Sequence, residues 1–220
     1  MRDIIRTCLS GASSIAIDAQ WTEVNIDLPT EFSQQDIYQF GKHKDNKDKL
    51  DKSKFIINAA VLVPICMRQD GYTVLFTQRP LGMNKHAGQV SFPGGKVEDK
   101  DFGPMDTALR ESKEEVGLLS HNVEVVGILE RCLVGTGYQI TPVVGLVRDS
   151  ACFKRNPSEV EEIFEVPLSF VLNHKNYYKD KLLVSGVTRE FNVIEFEKWF
   201  IWGATAAILV NLRDIIVASA

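Results

Sequence analysis

A mixed α/β sandwich is the fold class this chain of 220 residues predicts. Four apolar, β-branched runs of strand length lie at 55–67, 72–79, 123–131 and 138–148. Helical patterns at 105–116 and from Ile201 onward interrupt and follow them. Strands that dominate while helices alternate with them pack as a sheet with helices on its faces. The length suits one domain with a terminal extension, and is enough to bury a real core.

In chain order, Asp3 to Ser10 reads as a short helix, and Leu28-Pro29 to Tyr38 as a connector or short helix. Lys42 to Lys54 (KHKDNKDKLDKSK) interleaves both charges and cannot bury a core, so it reads as a solvated linker. The division expected is therefore a helix and charged linker over 1–53, then one folded domain over 54–220. Phe55 to Met67 predicts a buried strand, Arg68-Gln69-Asp70-Gly71 a hairpin turn, and Tyr72 to Arg79 its partner. Val123 to Arg131 and Tyr138 to Arg148 are two more strands, with Gly135 and Gly137 between them. Glu159 to Val166 leads into a helix from Pro167 to Leu172. Leu182 to Phe196 predicts a long hairpin turning near Ser185-Gly186, before a last helix from Ile201.

Composition narrows the function classes. A net charge of -4 offers no global attraction to nucleic acid or to an anionic membrane. Cys8, Cys66, Cys132 and Cys152 are scattered, which argues against a zinc site or disulfide framework and fits a reducing compartment. Arg2, Asp3 and Arg6 break the apolar run that a signal peptide needs. Asn211, Arg213 and Asp214 interrupt the apolar tail Phe200 to Ala218, which reads as a buried helix rather than a membrane span. The expectation is a soluble, cytoplasmic protein acting on a small molecule.

The chemistry is concentrated in Phe92 to Leu118, FPGGKVEDKDFGPMDTALRESKEEVGL. Pro104 suits a helix start and Gly117 a helix stop. On that helix Glu111, Glu114 and Glu115 fall within an arc of roughly 100°. Leu109, Ser112 and Val116 fall on the other side, as the face expected to pack on a sheet. Three like charges on one face repel, but convergent carboxylates are what a hard cation such as Mg²⁺ or Mn²⁺ requires. Arg110 precedes Glu114 by four residues, the spacing of a salt bridge that fixes the carboxylate. Gly94-Gly95 lets the backbone approach a metal or phosphate.

These residues resemble the Nudix family, whose signature is G-x5-E-x7-R-E-U-x-E-E-x-G-U with U aliphatic. Gly95, Arg110, Glu111, Glu114, Glu115, Gly117 and Leu118 take their places in it. Two positions depart. The loop acid is Asp101, eight residues rather than seven before Arg110, and Ser112 stands at an aliphatic position. The resemblance implies a Nudix-type α/β/α sandwich with a mixed β-sheet over 54–220.

A second stretch, LFTQRPLGMNKHAGQVSFPGG (Leu75 to Gly95), is similar to the coenzyme A diphosphatase branch. Leu75, Thr77, Arg79, Gly88, Val90, Phe92, Pro93, Gly94 and Gly95 match its extra motif, while Pro80 and Asn84 replace a serine and an arginine. Asn156 to Val160 and Ile201 to Ala206 also look like this branch, so the resemblance spans about residues 55 to 215. Coenzyme A carries a diphosphate and a 3′-phosphate, groups that arginine binds bidentately. Arg79 is the expected contact, with Lys85 and His86 as helpers.

The resemblance implies metal-assisted hydrolysis. Glu111, Glu114, Glu115 and the Gly95 carbonyl would hold Mg²⁺ or Mn²⁺, and Arg110, Glu111, Glu114 and Glu115 are the expected catalytic set. Arg79, Gly94 and Gly95 are the expected substrate-binding set. One glutamate takes the water proton, either Glu114 or Glu115, or a loop acid among Glu159, Glu161 and Glu162. Coenzyme A would yield 3′,5′-ADP and 4′-phosphopantetheine, with Tyr138 a candidate to stack on the adenine. Two other readings compete: hydrolysis of another nucleoside diphosphate derivative (ADP-ribose, NADH), and a non-catalytic binding module with the same fold. No nucleic acid or membrane partner is expected, and a homodimer is an allowed assembly.

Overall fold

In the computed structural model, which describes residues 1–12, 56–82, 88–134, 137–184 and 187–218, the longest apolar run becomes the central strand. This strand, β1 (Ile57–Arg68), pairs in parallel with β7 (Tyr138–Val147) over ten residues, from Ile57 opposite Tyr138 to Cys66 opposite Val147. Both faces of such a strand are covered, which explains its near-continuous apolar sequence. Its antiparallel partner β2 (Gly71–Gln78) follows through the turn that Asp70-Gly71 predicts. Strands β3 (Val90–Ser91), β4 (Gly94–Lys96), β5 (Val123–Ile128), β6 (Cys132–Leu133) and β8 (Glu162–Pro167) complete an eight-stranded mixed sheet. Its main path runs β3-β2-β1-β7-β5, with β4 paired to β1, β6 to β7 and β8 to β2.

Two apolar cores lie on the two faces of this sheet. One face, through Ala60, Leu62, Cys66, Val143 and Val147, packs on helix α2 (Pro104–Val116) by way of Ala108 and Val116. The other, through Val63, Ile65, Phe76, Val144 and Leu146, packs on α1 (Arg2–Ala12), α3 (Leu168–Leu172) and α4 (Gly203–Ala218). Ile5 and Leu9 of α1 are almost fully buried there, and Arg2 and Arg6 bind Glu124 on β5. The first helix thus shares the core of the sheet. No helix among the described residues is long and apolar enough to cross a membrane.

A second sheet, β9 (Tyr177–Val184), β10 (Val187–Phe196) and β11 (Trp199–Trp202), closes the α4 side. Here the sequence expectation needs correcting, because the last helix does not begin at Ile201. Trp199 and Ile201 are buried and alternate with Phe200 and Trp202, so the segment pairs with Val193 to Phe196 as a strand before α4 starts at Gly203. Aromatic stacking ties the two sheets, with Trp199 lying 3.8 Å from Phe164 of β8 and nearly parallel to it. The short strands β3, β4 and β6 fall below the length that periodicity detects. The connector at 28–38, the charged run at 42–54, the turn at 185–186, and Asn84, Lys85 and His86 lie outside the described residues.

A carboxylate site against the glycine turn

Helix α2 is specified by its ends. Pro104 occupies the first turn, and Gly117 terminates the helix in the left-handed region (φ 69°), its N–H donating to the Lys113 carbonyl at 3.1 Å. Ser112, at the position where an aliphatic residue is the rule, is fully buried and donates its hydroxyl to the Ala108 carbonyl at 2.7 Å. Its hydroxyl is therefore satisfied inside the apolar interface.

The face assignment needs a correction. Glu115 is not on the solvent side opposite Ser112 but is buried with it (5% exposed) against the sheet. Its carboxylate accepts a hydrogen bond from the Gly94 N–H at 3.3 Å. Glu111 is half-buried one turn earlier, its carboxylate filling the space over Gly95. Side chains at these glycines have no room. A Cβ on Gly95 would overlap the Glu111 carboxylate, and one on Gly94 would lie 2.5 Å from the Ala60 carbonyl oxygen and 2.6 Å from Val61 Cα. Glu114 is separate, with its side chain 47% exposed.

Arg110 organises this cluster. Its Nε and Nη2 donate to the two oxygens of Asp101 at 3.0 and 2.9 Å, and Nη1 donates to Glu111 at 2.8 Å. The expected pair with Glu114 forms at 3.3 Å but is the longest of these bonds. Nη2 also reaches the Lys96 carbonyl at 2.9 Å. Asp101 additionally accepts the Glu98 N–H and the Thr107 hydroxyl. The displaced loop acid thus anchors Arg110 rather than joining the carboxylate pair. The Arg110 guanidinium holds the Asp101 carboxyl down at about 2.

Burial has the opposite effect on the pair itself. Desolvation, then the negative charge of Glu111, pushes the Glu115 carboxyl up to about 8, against the opposing pull of the Gly94 N–H and of Arg79. Burial also raises Glu111, and Arg110 offsets this in part. Two carboxylates held together at this cost need a cation or protons for balance. Among the described residues no three of His, Cys, Asp and Glu stand close enough to form a ready ligand cluster, and Arg110 binds both Glu111 and Glu114.

Residues 57–179 match the NUDIX domain, more than half of the chain. The chain belongs to the Nudix family. An uncharacterized Nudix hydrolase, NudL, of Yersinia enterocolitica is 43% identical over 157 residues, covering 71% of this chain and 80% of that protein. The NudL of Escherichia coli K12 is 41% identical over 155 residues, covering 70% and 80% respectively. The crystal structure of a MutT/nudix family protein from Enterococcus faecalis superposes with a TM-score of 0.49 at 17% identity, over 83% of this chain and 67% of that one.

This Nudix hydrolase is therefore an enzyme for nucleoside diphosphate derivatives, in a family that uses divalent cations. The loop acids that sequence left equivalent are separated by the fold. The loop at 154–160 is fastened to the end of α2, with the Asn156 N–H donating to the Glu115 carbonyl at 2.8 Å and the Lys154 N–H to that of Val116 at 2.9 Å. This brings Glu159 near enough to raise both Glu111 and Glu115. Glu162 is instead bound by Lys198 at 2.9 Å, and Glu161 is exposed. Arg79 leaves β2 on the α2 side, close enough to act on Glu115, and its buried Nε has no partner among the described residues. Tyr138, the stacking candidate, opens β7 beneath the Lys96 ammonium.

Proposed function

We propose that this enzyme hydrolyses the diphosphate of coenzyme A or its derivatives, with Mg²⁺ or Mn²⁺, to 3′,5′-ADP and 4′-phosphopantetheine. The observation that carries the reading is the Glu111–Glu115 pair seated on Gly95 and Gly94, faced by an arginine whose buried Nε has no partner among the described residues. The donor set fits the cation: Glu111, Glu114, Glu115 and the Gly95 carbonyl are all hard oxygens, suited to Mg²⁺ or Mn²⁺. When bound, the cation neutralises charge on the phosphoryl oxygens and acidifies a water.

The chain's own residues do the rest. Arg110, locked by Asp101, holds Glu111 in place. Arg79, whose Nε has no partner among the described residues, donates to a diphosphate oxygen, and the upstream motif that contains it favours coenzyme A. Glu159 or Glu114 accepts the proton of the attacking water, since neither is buried as Glu115 is. Free cysteines at 8, 66, 132 and 152 support a reducing, cytoplasmic setting.

The test is hydrolysis of coenzyme A, ADP-ribose and NADH side by side, with Mg²⁺ and with Mn²⁺, by wild type, Glu115→Gln and Glu159→Gln. Coenzyme A is expected to be cleaved best, with a loss of about 10²-fold or more in Glu115→Gln; a comparable loss in Glu159→Gln assigns the base to Glu159, and retained activity there assigns it to Glu114. Preference for ADP-ribose or NADH would remove the substrate assignment and keep the metal site. Full activity of Glu115→Gln would remove the metal site itself.

A further inference from the structure

Asn156 joins the helix that carries Glu115 to the loop that carries Glu159, and its backbone bonds in both directions. Its N–H donates to the Glu115 carbonyl at 2.8 Å. Its own carbonyl accepts the N–H groups of Glu159 at 3.1 Å and of Val160 at 2.8 Å. A short hydrogen-bonded relay through Asn156 thus ties the buried carboxylate residue of α2 to the loop acid.

The local sequence Asn156-Pro157-Ser158-Glu159 explains why the chain turns here. Asparagine is favoured at the first position of such a turn, and proline at the second, where its fixed φ is already correct. The Asn156 Oδ1 accepts the Ser158 N–H at 3.2 Å and the Ser158 hydroxyl at 2.7 Å, closing the turn with the side chain. Past the turn, Val160 is 1% exposed and packs in the core shared by Ala60, Leu62 and Val116. The Glu161 N–H then donates to the Gln78 carbonyl at 2.8 Å, beside Arg79. The loop is anchored to α2 at one end and to β2 at the other, and the Asn156 side chain sets the turn between them.

Glu159 has no ion pair among the described residues, whereas Glu114 accepts from Arg110 at 3.3 Å. The charge of Glu159 bears on both Glu111 and Glu115. We propose that Asn156 is a positioning residue that holds Glu159 at a fixed place over the carboxylate pair, where Glu159 takes the proton of the attacking water. As the water oxygen bonds to phosphorus, that proton passes to the Glu159 carboxylate, and the leaving phosphate departs with the electron pair of the broken P–O bond. Asn156 touches neither substrate nor cation and acts only through the turn. This rests on the diphosphatase reading, within which it selects Glu159 over Glu114.

The test measures kcat and KM on coenzyme A and on ADP-ribose for Asn156→Ala, Asn156→Ser, Glu159→Gln and the double variant Asn156→Ala with Glu159→Gln. Asn156→Ala is expected to lower kcat about tenfold while KM changes less than about twofold. Asn156→Ser, whose hydroxyl closes the same turn more weakly, is expected to recover most of that loss. The double variant is expected to be no slower than Glu159→Gln alone, because Asn156 acts through Glu159. A further loss of the same size in the double variant would overturn the proposal, as would full activity of Asn156→Ala beside a slow Glu159→Gln. Calorimetric titration with Mn²⁺ gives a readout apart from turnover. Its affinity is expected to change less than about twofold in Asn156→Ala, since the bond to the Glu115 carbonyl comes from the backbone. A loss of Mn²⁺ affinity that matches the loss in kcat would put the effect on the cation and overturn the positioning role. Full activity of Glu159→Gln would remove Glu159 as the base, and the role of Asn156 with it. No turnover of either substrate by wild type would instead sink the diphosphatase reading on which the proposal rests.

Discussion

The carboxylate of Glu111 occupies the volume that a methyl group on Gly95 would need. The helix and the glycine turn are therefore fitted to each other atom against atom, and Arg110 prevents Glu111 from moving aside freely.

Gly95→Ala is expected to displace Glu111 with little effect on the core, since the obstruction is a side-chain end. Activity should fall about 100-fold, the cost of misplacing a catalytic group by an ångström. Gly94→Ala meets the backbone of Ala60 and Val61 instead, and should destabilise the fold by about 1–3 kcal/mol. Kinetics paired with urea unfolding separates the two, and equal stability loss in both variants would refute the distinction.

Glu115 makes the metal-free protein sensitive to pH. Its folded pKa of about 8 exceeds the ordinary 4.5, so the native state binds the proton more tightly than the unfolded chain does. Its contribution is fully present below about 4.5 and is lost as pH rises to about 8, a loss of a few kcal/mol. Urea unfolding in chelator between pH 5 and 8.5 should show this decline in wild type and not in Glu115→Gln. A divalent cation, which favours the ionised pair, should reverse it.

Asp101→Asn removes the acceptor that carries two arms of Arg110. The Asp101 side chain is 3% exposed and that of Arg110 13%, so losing this buried pair should cost about 1–3 kcal/mol at pH 7, less than for a fully unpaired charge because Arg110 keeps Glu111 and Glu114. The sign here is opposite to that of Glu115. A carboxyl held at about 2 contributes stability above its ordinary 3.8, and the contribution disappears as pH falls through about 2. Unfolding of the two proteins should therefore converge at acid pH.

Leu9→Ala should destabilise the whole domain by about 2–4 kcal/mol, because Leu9 is only 1% exposed in the core beneath the sheet. A single shifted unfolding transition is the expected result. Unchanged stability would mean that α1 is not docked as described.

The sequence by itself determined the local elements and the residue types of the site. Apolar β-branched runs of strand length bounded by turn residues favour strands, so β1, β2, β5 and β7 were legible, as was α2 between its proline and its glycine. The Glu111, Glu114 and Glu115 cluster was legible because helical periodicity relates neighbours. That same periodicity cannot say which arc of the helix meets the sheet. Only the tertiary structure buried Glu115 against Gly94, left Glu114 in solvent, and turned Asp101 towards Arg110. The segment from Trp199 to Trp202 became a strand rather than helix because β10 offered it a register, from Val193 opposite Trp202 to Phe196 opposite Trp199. Lys96 met Tyr138, and Glu159 was told apart from Glu162, through strand pairing and loop anchoring between residues distant in the chain. Contacts of that kind depend on which elements pack together, and no local pattern encodes them.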